Sequence, residues 1–383
     1  MASMKKECVK AIGYANELFV FPNGPFRYKY RFQIVKIIII ILISPGLFGP
    51  VVSFSRKEPI IMRFSVLRLF SLLLCALVLF PLYQARAADG WPRNVPNRKG
   101  ELVIHHPPKR IVSTSITLTG SLLAIGAPVI ASAAAMPGQR FVDNQGFFRQ
   151  WSDVAVAKGV KRLYAGEPNL EIIAAEKPDL IVVSATGNDS AIVFYDRLSK
   201  LAPTLVINYD NKSWQQVERE LAQATGNEAG AERSIQSYTQ RETEVKAKLA
   251  LPPQPVSALV YNPHGSKANL WTRESAQGKM LEALGFTLAT PPENILRGSQ
   301  RLKRKDIIPL VGENLATGIT GKSVLMFATD ETGKTALLSE PLVAGSSAIR
   351  DRQVWALGND SFRLDYYSAN HLLTRLEQLF AKS

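Results

Sequence analysis

From residue 110 onward, short continuous apolar runs alternate with segments of helical period. Arg110-Ile111-Val112-Ser113-Thr114 reads as a buried strand, 118–125 as a helix stopped by Gly126, and 128–132 as a strand. Residues 169–176 read as a helix halted before Pro178, and 179–185 form an unbroken apolar strand. A helix over 190–201 and a strand over 204–208 follow. Continuous apolar strands between helices imply a mainly parallel sheet covered on both faces. Ser213 and Gln216 have the spacing of a capping box. Residues 229–249 hold steady helix formers and no proline, enough for a helix of about 30 Å. Pro252, Pro253 and Pro255 end it. Strands then recur at 256–261, 324–328 and 353–357, with a helix over 276–284 stopped by Gly285. The last helix, 365–380, puts Ala369, Leu372, Leu373, Leu376, Leu379 and Phe380 on one stripe. The expected fold class is α/β: two lobes, 88–212 and 253–383, with mainly parallel sheets, joined by one long helix within 213–252.

The apolar pattern nearer the start has another meaning. Met62-Arg63 opens a basic stretch ending at Arg68, an apolar run covers 69–82, and Ala85-Arg86-Ala87 follows. That is the layout of a secretory signal peptide, with cleavage expected after Ala87 and no stable membrane anchor. Cys75 follows Leu74 where a lipid-attachment site needs a small residue. Residues 1–61 contain five consecutive isoleucines (37–41) but are broken by Pro45-Gly46 and Gly49-Pro50, short of the roughly 20 apolar residues of a membrane span. AT-rich DNA translated upstream of a true start at Met62 would give such a segment. An integral membrane protein stays open only if it is genuine.

The export reading changes the charge argument. The whole chain carries +14, but residues 1–87 hold 12 of its 46 Lys+Arg and 3 of its 32 Asp+Glu. That leaves 34 against 29 in 88–383, a net +5, which does not call for nucleic acid. Both cysteines, Cys8 and Cys75, fall in the removed segment, and a chain of this length buries enough core without disulfides.

Several motifs carry a resemblance. They are Trp91-Pro92-Arg93, Pro108 through Ser115, Thr117 through Ile125, Asp143-Asn144-Gln145-Gly146-Phe147, Glu176 through Ile181, Ala268-Asn269-Leu270-Trp271-Thr272 and Ser361 through Ala369. Together they resemble the periplasmic substrate-binding proteins of iron–siderophore ABC importers. Asn269-Leu270-Trp271-Thr272 and Phe362 through Tyr367 are similar to the branch that takes ferric enterobactin. The resemblance implies a rigid helix across the back, a shallow cleft between lobes, and a small hinge motion. It implies Arg140, Trp271 and Arg363 as ligand-binding residues, all three expected in loops. Glu171 and Glu313 are implied as the pair that docks on the inner-membrane ABC permease, one per lobe. No cofactor of the protein's own is expected, since iron arrives inside the siderophore.

Ferric enterobactin is a trianion with aromatic edges around an iron that already has six oxygen ligands. Guanidinium groups suit it, because they stay charged, donate in a planar fork and stack on rings. Competing classes have less support. No Gly-x-Ser-x-Gly elbow is present in 88–383, against an esterase. A bare-metal site, for zinc for example, needs converging His and carboxylate ligands. His105-His106 are adjacent on an extended segment and point to opposite faces, His264 lies in a loop and His371 on the last helix. The basic run Arg297, Arg301, Lys303, Arg304 and Lys305 reads as a solvated loop.

Overall fold

A computed structural model describes residues 90–210, 212–300 and 305–382. The signal-peptide and upstream segments, with Arg301, Lys303 and Arg304, lie outside the described residues. The first lobe opens with an antiparallel hairpin, β1 (Arg93–Asn97) and β2 (Gly100–Ile104). Its sheet comprises β3 (Ile111–Ser113), β4 (Val129–Ala134), β5 (Lys161–Ala165), β6 (Leu180–Ser184) and β7 (Thr204–Ile207), in the order β5-β4-β3-β6-β7. Every pair is parallel. Burial on both faces explains the unbroken apolar run of β6, whose five residues are all buried. Helices α1 (Ile116–Ala124), α2 (Arg149–Ala157) and α3 (Leu170–Ala175) belong to this lobe.

Two helices lead to the second lobe. α4 (Trp214–Thr225) starts at the Ser213/Gln216 capping box and ends at Gly226, which takes the left-handed conformation. α5 (Glu228–Lys248) is 21 residues long. Ala231, in its first turn, packs in the first lobe's core, whereas Ile235, Tyr238 and Val245 pack in the second lobe's core. One rigid element is thus rooted in both cores. Gly230 allows the close approach, because a Cβ there would strike the Ile125 carbonyl.

The second sheet contains β8 (Val256–Asn262), β9 (Lys267–Trp271), β10 (Ile307–Val311), β11 (Ser323–Met326) and β12 (Val354–Ala356), in the order β10-β9-β8-β11-β12. β8, β11 and β12 run parallel, but β8–β9 and β9–β10 are antiparallel, so this sheet is mixed. Around it stand α6 (Ala276–Ala283), α7 (Glu293–Gln300), α8 (Glu313–Gly318), α9 (Glu331–Leu338) and α10 (Tyr366–Phe380). Asp365 and Ser368 form a second capping box at the start of α10, whose Ala369, Leu372, Leu373, Leu376 and Phe380 are buried.

One expected helix is present but shorter than its pattern suggested. Residues 190–201 form a 3-10 turn (Ile192–Phe194) and a single α-turn (Tyr195–Leu198). The Ser190 hydroxyl donates to the Ser184 carbonyl while its oxygen accepts from the Ile192 amide at 3.4 Å, so the helical residues start only at Ile192, and Val193 is 83% exposed. Val193 and Phe194 of this segment border the space between the lobes.

Candidate functional site

Parallel sheets offer a ligand crevice beyond the carboxyl ends of their strands, where successive connections leave in opposite directions. In the first sheet that point lies between β3 and β6, and in the second between β8 and β11. A cleft of about 930 Å³ opens there, within the range of small-molecule sites. Thr114 and Thr117 follow β3, Asn188 and Asp189 follow β6, and Ala328 follows β11 among its lining residues. Ala328 holds a φ of 55°, an uncommon conformation for a non-glycine residue.

The rim on the first lobe is a loop between β4 and α2. An isolated bridge joins Val142 to Phe148, and one Asp143 carboxylate oxygen accepts from the Gln145 and Phe147 amides, each at 2.8 Å. Gly146, at φ 87°, lies so close to the Ala135 carbonyl that a Cβ would collide with it. This closure turns Phe141 and Phe148 into the cleft with their centroids 5.9 Å apart. Arg140 stands beside Phe141 with its side chain 63% exposed, and its guanidinium reaches Asp330 of the other lobe at 3.4 Å. It is absent from the residues lining the cleft itself.

The second lobe contributes the segment before α10. Gln277 donates to the Phe362 carbonyl at 2.5 Å, and Ser368 to the Arg363 carbonyl at 2.8 Å. So fixed, Phe362 and Arg363 both line the cleft. The Arg363 guanidinium lies 5.8 Å from the centroids of both Phe362 and Tyr209, and donates to the Tyr209 hydroxyl at 3.2 Å.

Trp271 departs from the loop expectation. It is the last residue of β9, 6% exposed, and its ring packs on Phe327 and Phe362 at 6.5 and 5.5 Å. Polar neighbours pointed to a loop, but Lys267-Ala268-Asn269-Leu270 alternates exposed and buried as a half-buried strand does. Trp271 therefore backs the exposed Phe362 ring and does not line the cleft. The aromatic residues that do line it, Phe141, Phe148, Tyr164, Phe194 and Phe362, were not singled out from sequence. A signal existed at two of them: Phe141 adjoins Arg140 and Phe362 adjoins Arg363.

Residues 111–361 match the family model described as periplasmic binding protein. The chain is 51% identical over 319 residues to the ferric enterobactin-binding periplasmic protein FepB of Escherichia coli O6:H1, covering 83% of this chain and all of that protein. This chain belongs to the periplasmic binding protein family. Among solved structures, holo-ViuP superposes with a TM-score of 0.69 at 34% identity, over 77% of this chain and 97% of that one. Staphylococcus aureus SirA complexed with staphyloferrin B gives 0.58 at 19% identity, over 75% and 97%, a likeness of fold.

In this periplasmic binding protein, the remaining singled-out residues sit away from the cleft lining. Glu171 lies exposed in the first turn of α3, where Asn169 caps the Glu171 and Ile172 amides at 3.1 Å each. Glu313 is exposed at the first position of α8, on the second lobe. Arg297 is helical rather than in a loop, and pairs with Glu293 at 3.3 Å. Among the described residues no group of three or more His, Cys, Asp or Glu side chains could hold a metal ion. His371 pairs with Asp360 at 2.6 Å, and that hydrogen bond raises its pKa above the ordinary value.

Proposed function

We propose that this chain captures ferric enterobactin in the cleft and hands it to an inner-membrane ABC permease. It acts as a binding protein, not an enzyme. The observation carrying this reading is Arg363, held between two aromatic rings on the wall of a cleft of about 930 Å³. A ferric tris-catecholate asks for fixed positive charge beside flat apolar surface, and Phe141, Phe148 and Phe362 supply the second. Arg140, at the rim, adds charge once it exchanges Asp330 for a catecholate oxygen. The exposed Arg140–Asp330 pair is weak enough to make that exchange cheap. Trp271 contributes by stiffening Phe362 from behind. Iron enters as the siderophore complex, so no protein ligand to the metal is required and no other cofactor takes part.

Intrinsic fluorescence during titration of the exported protein with ferric enterobactin tests this, with ferrichrome and zinc as controls. Saturable quenching by ferric enterobactin alone is expected, and Arg363→Gln should weaken binding by about 10- to 100-fold, the worth of a charged hydrogen bond. A response only to ferrichrome or zinc overturns the assignment.

Glu171 and Glu313 present one exposed carboxylate on each lobe, and on this reading they receive basic side chains of the permease. Reversing both to lysine should stop import into cells while ferric enterobactin binding persists; undiminished import removes the assignment. Residues 62–87 act as the export signal, with translation starting at Met62. N-terminal sequencing of the periplasmic protein should read Ala88-Asp89-Gly90, and peptides from 1–61 in cell extracts would refute that start.

A further inference from the structure

Resting on the ligand reading above, we propose that Tyr209 and Asp189 are positioning residues. They form a relay from the first lobe that aims the Arg363 guanidinium, on the second lobe, into the cleft.

The direction of every bond in the relay is fixed by chemistry. A guanidinium can only donate, so the Tyr209 oxygen accepts from Arg363 at 3.2 Å. Its own hydrogen must then go elsewhere, and Asp189 Oδ1 accepts it at 3.1 Å. The second Asp189 oxygen accepts from the Ser115 hydroxyl at 2.6 Å and from the Thr117 amide at 2.9 Å. Asp189 is thus anchored to the first turn of α1 and has one oxygen left for the phenol. A phenol that donates to a carboxylate becomes a better acceptor, which strengthens its hold on Arg363.

The surrounding turn is shaped for this contact. Gly187, at φ 82°, lies against the Tyr209 hydroxyl, and a Cβ at that position would occupy the space of the oxygen. Burial, then the Asp189 charge, hold the Tyr209 phenol above its ordinary pKa and so keep its proton available to donate. Arg363 has the Tyr209 hydroxyl as the hydrogen-bond acceptor for its guanidinium among the described residues. Without the relay a long, half-buried side chain would have to be ordered by the ligand itself, at an entropic cost.

Two variants test the relay. Tyr209→Phe deletes the hydroxyl. Asp189→Asn keeps shape but, with Ser115 and Thr117 both donating to its oxygen, turns an amide N–H toward Tyr209, so the phenol loses the acceptor for its own hydrogen and is no longer polarised toward Arg363. In the ligand-free exported protein, labelled with 15N-arginine, the Arg363 guanidinium should show hindered rotation that both variants release. Unchanged rotation in both overturns the relay, whatever the protein binds.

In titrations with ferric enterobactin, each variant should bind about tenfold more weakly. Neither should weaken binding further once Arg363 is glutamine, as a double-mutant cycle requires of residues acting through one another. A separate loss in the Arg363→Gln background overturns the proposal. So does tighter binding by Asp189→Asn, the result expected if Asp189 were only a repulsive charge facing a trianion. Failure of the unaltered protein to bind ferric enterobactin would sink the function proposed above, while the guanidinium measurement would still decide the relay.

Discussion

Replacing Trp271 by alanine is expected to cost about 3–5 kcal/mol of folding stability, the range for truncating a large buried aromatic. The ring is 6% exposed and packs among core residues that include Val256, Ala258, Met280 and Phe327. Its Nε1 makes no hydrogen bond among the described residues, so nothing polar is orphaned and the loss is one of packing. Trp271→Phe retains most of that packing and should cost roughly half as much or less. Affinity for ferric enterobactin should fall in the alanine variant only because Phe362 loses its backing, and the phenylalanine variant should bind within a few-fold of the unaltered protein. Urea denaturation and the fluorescence titration, run side by side, separate the roles. A Trp271→Ala protein that keeps its stability but loses binding would put the indole on the ligand and overturn the core assignment.

Trp271 also marks where sequence pattern stopped being informative. Strands buried on both faces announce themselves, and β3, β6 and β7 fall within a residue or two of the expected runs. Helices with caps do so too: α4 begins at its Ser213/Gln216 box and α10 at Asp365. β9 and β10 carry no such signature. β10 is the edge strand of its sheet and holds Pro309, which lacks an amide to donate and reads as a break. β9 alternates polar and apolar residues, so its Trp271 could be taken for a loop aromatic.

The cleft is harder still to read, because it is assembled from strand ends far apart in sequence. Arg363 meets Tyr209 across 154 residues, and Arg140 meets Asp330 across 190. A motif could flag each arginine singly. It could not say that Arg363 would lie in the wall, that Arg140 would stand at the rim, or that Asp189 and Tyr209 would stand behind Arg363. Those facts depend on the register of two sheets and on a helix rooted in both cores.

The same junction of lobes predicts an unusual pH dependence. Glu218, on α4, is fully buried. Ser234, on α5, donates to one of its carboxylate oxygens at 2.5 Å, and the other oxygen has no hydrogen-bond partner among the described residues. Burial, with a smaller contribution from the Asp365 charge, pushes its pKa from 4.5 up to about 8, against the lowering effect of Ser234. In the unfolded chain the carboxyl ionises near 4.5, so between about 4.5 and about 8 the folded protein holds a proton that the unfolded one has released. Stability must therefore fall as pH rises through that window, and the contribution is fully present only below it. Each unit is worth about 1.4 kcal/mol, which makes the penalty about 3 kcal/mol at pH 7 as an order of magnitude.

Glu218→Gln is neutral throughout and can still accept from Ser234. Its denaturation midpoint should exceed that of the unaltered protein at pH 7, by an amount that grows toward pH 8 and shrinks toward pH 5. Asp365, pushed by burial up to about 6, remains in the variant and contributes its own decline below that pH. The difference between the two proteins from pH 6 to 8 therefore isolates Glu218, since His371 titrates alike in both. Parallel stability profiles over that interval would mean that Glu218 is already ionised in the folded protein. In that case the folded protein would have to hold a buried charge beside Ser234, and the raised pKa assigned to Glu218 would be wrong.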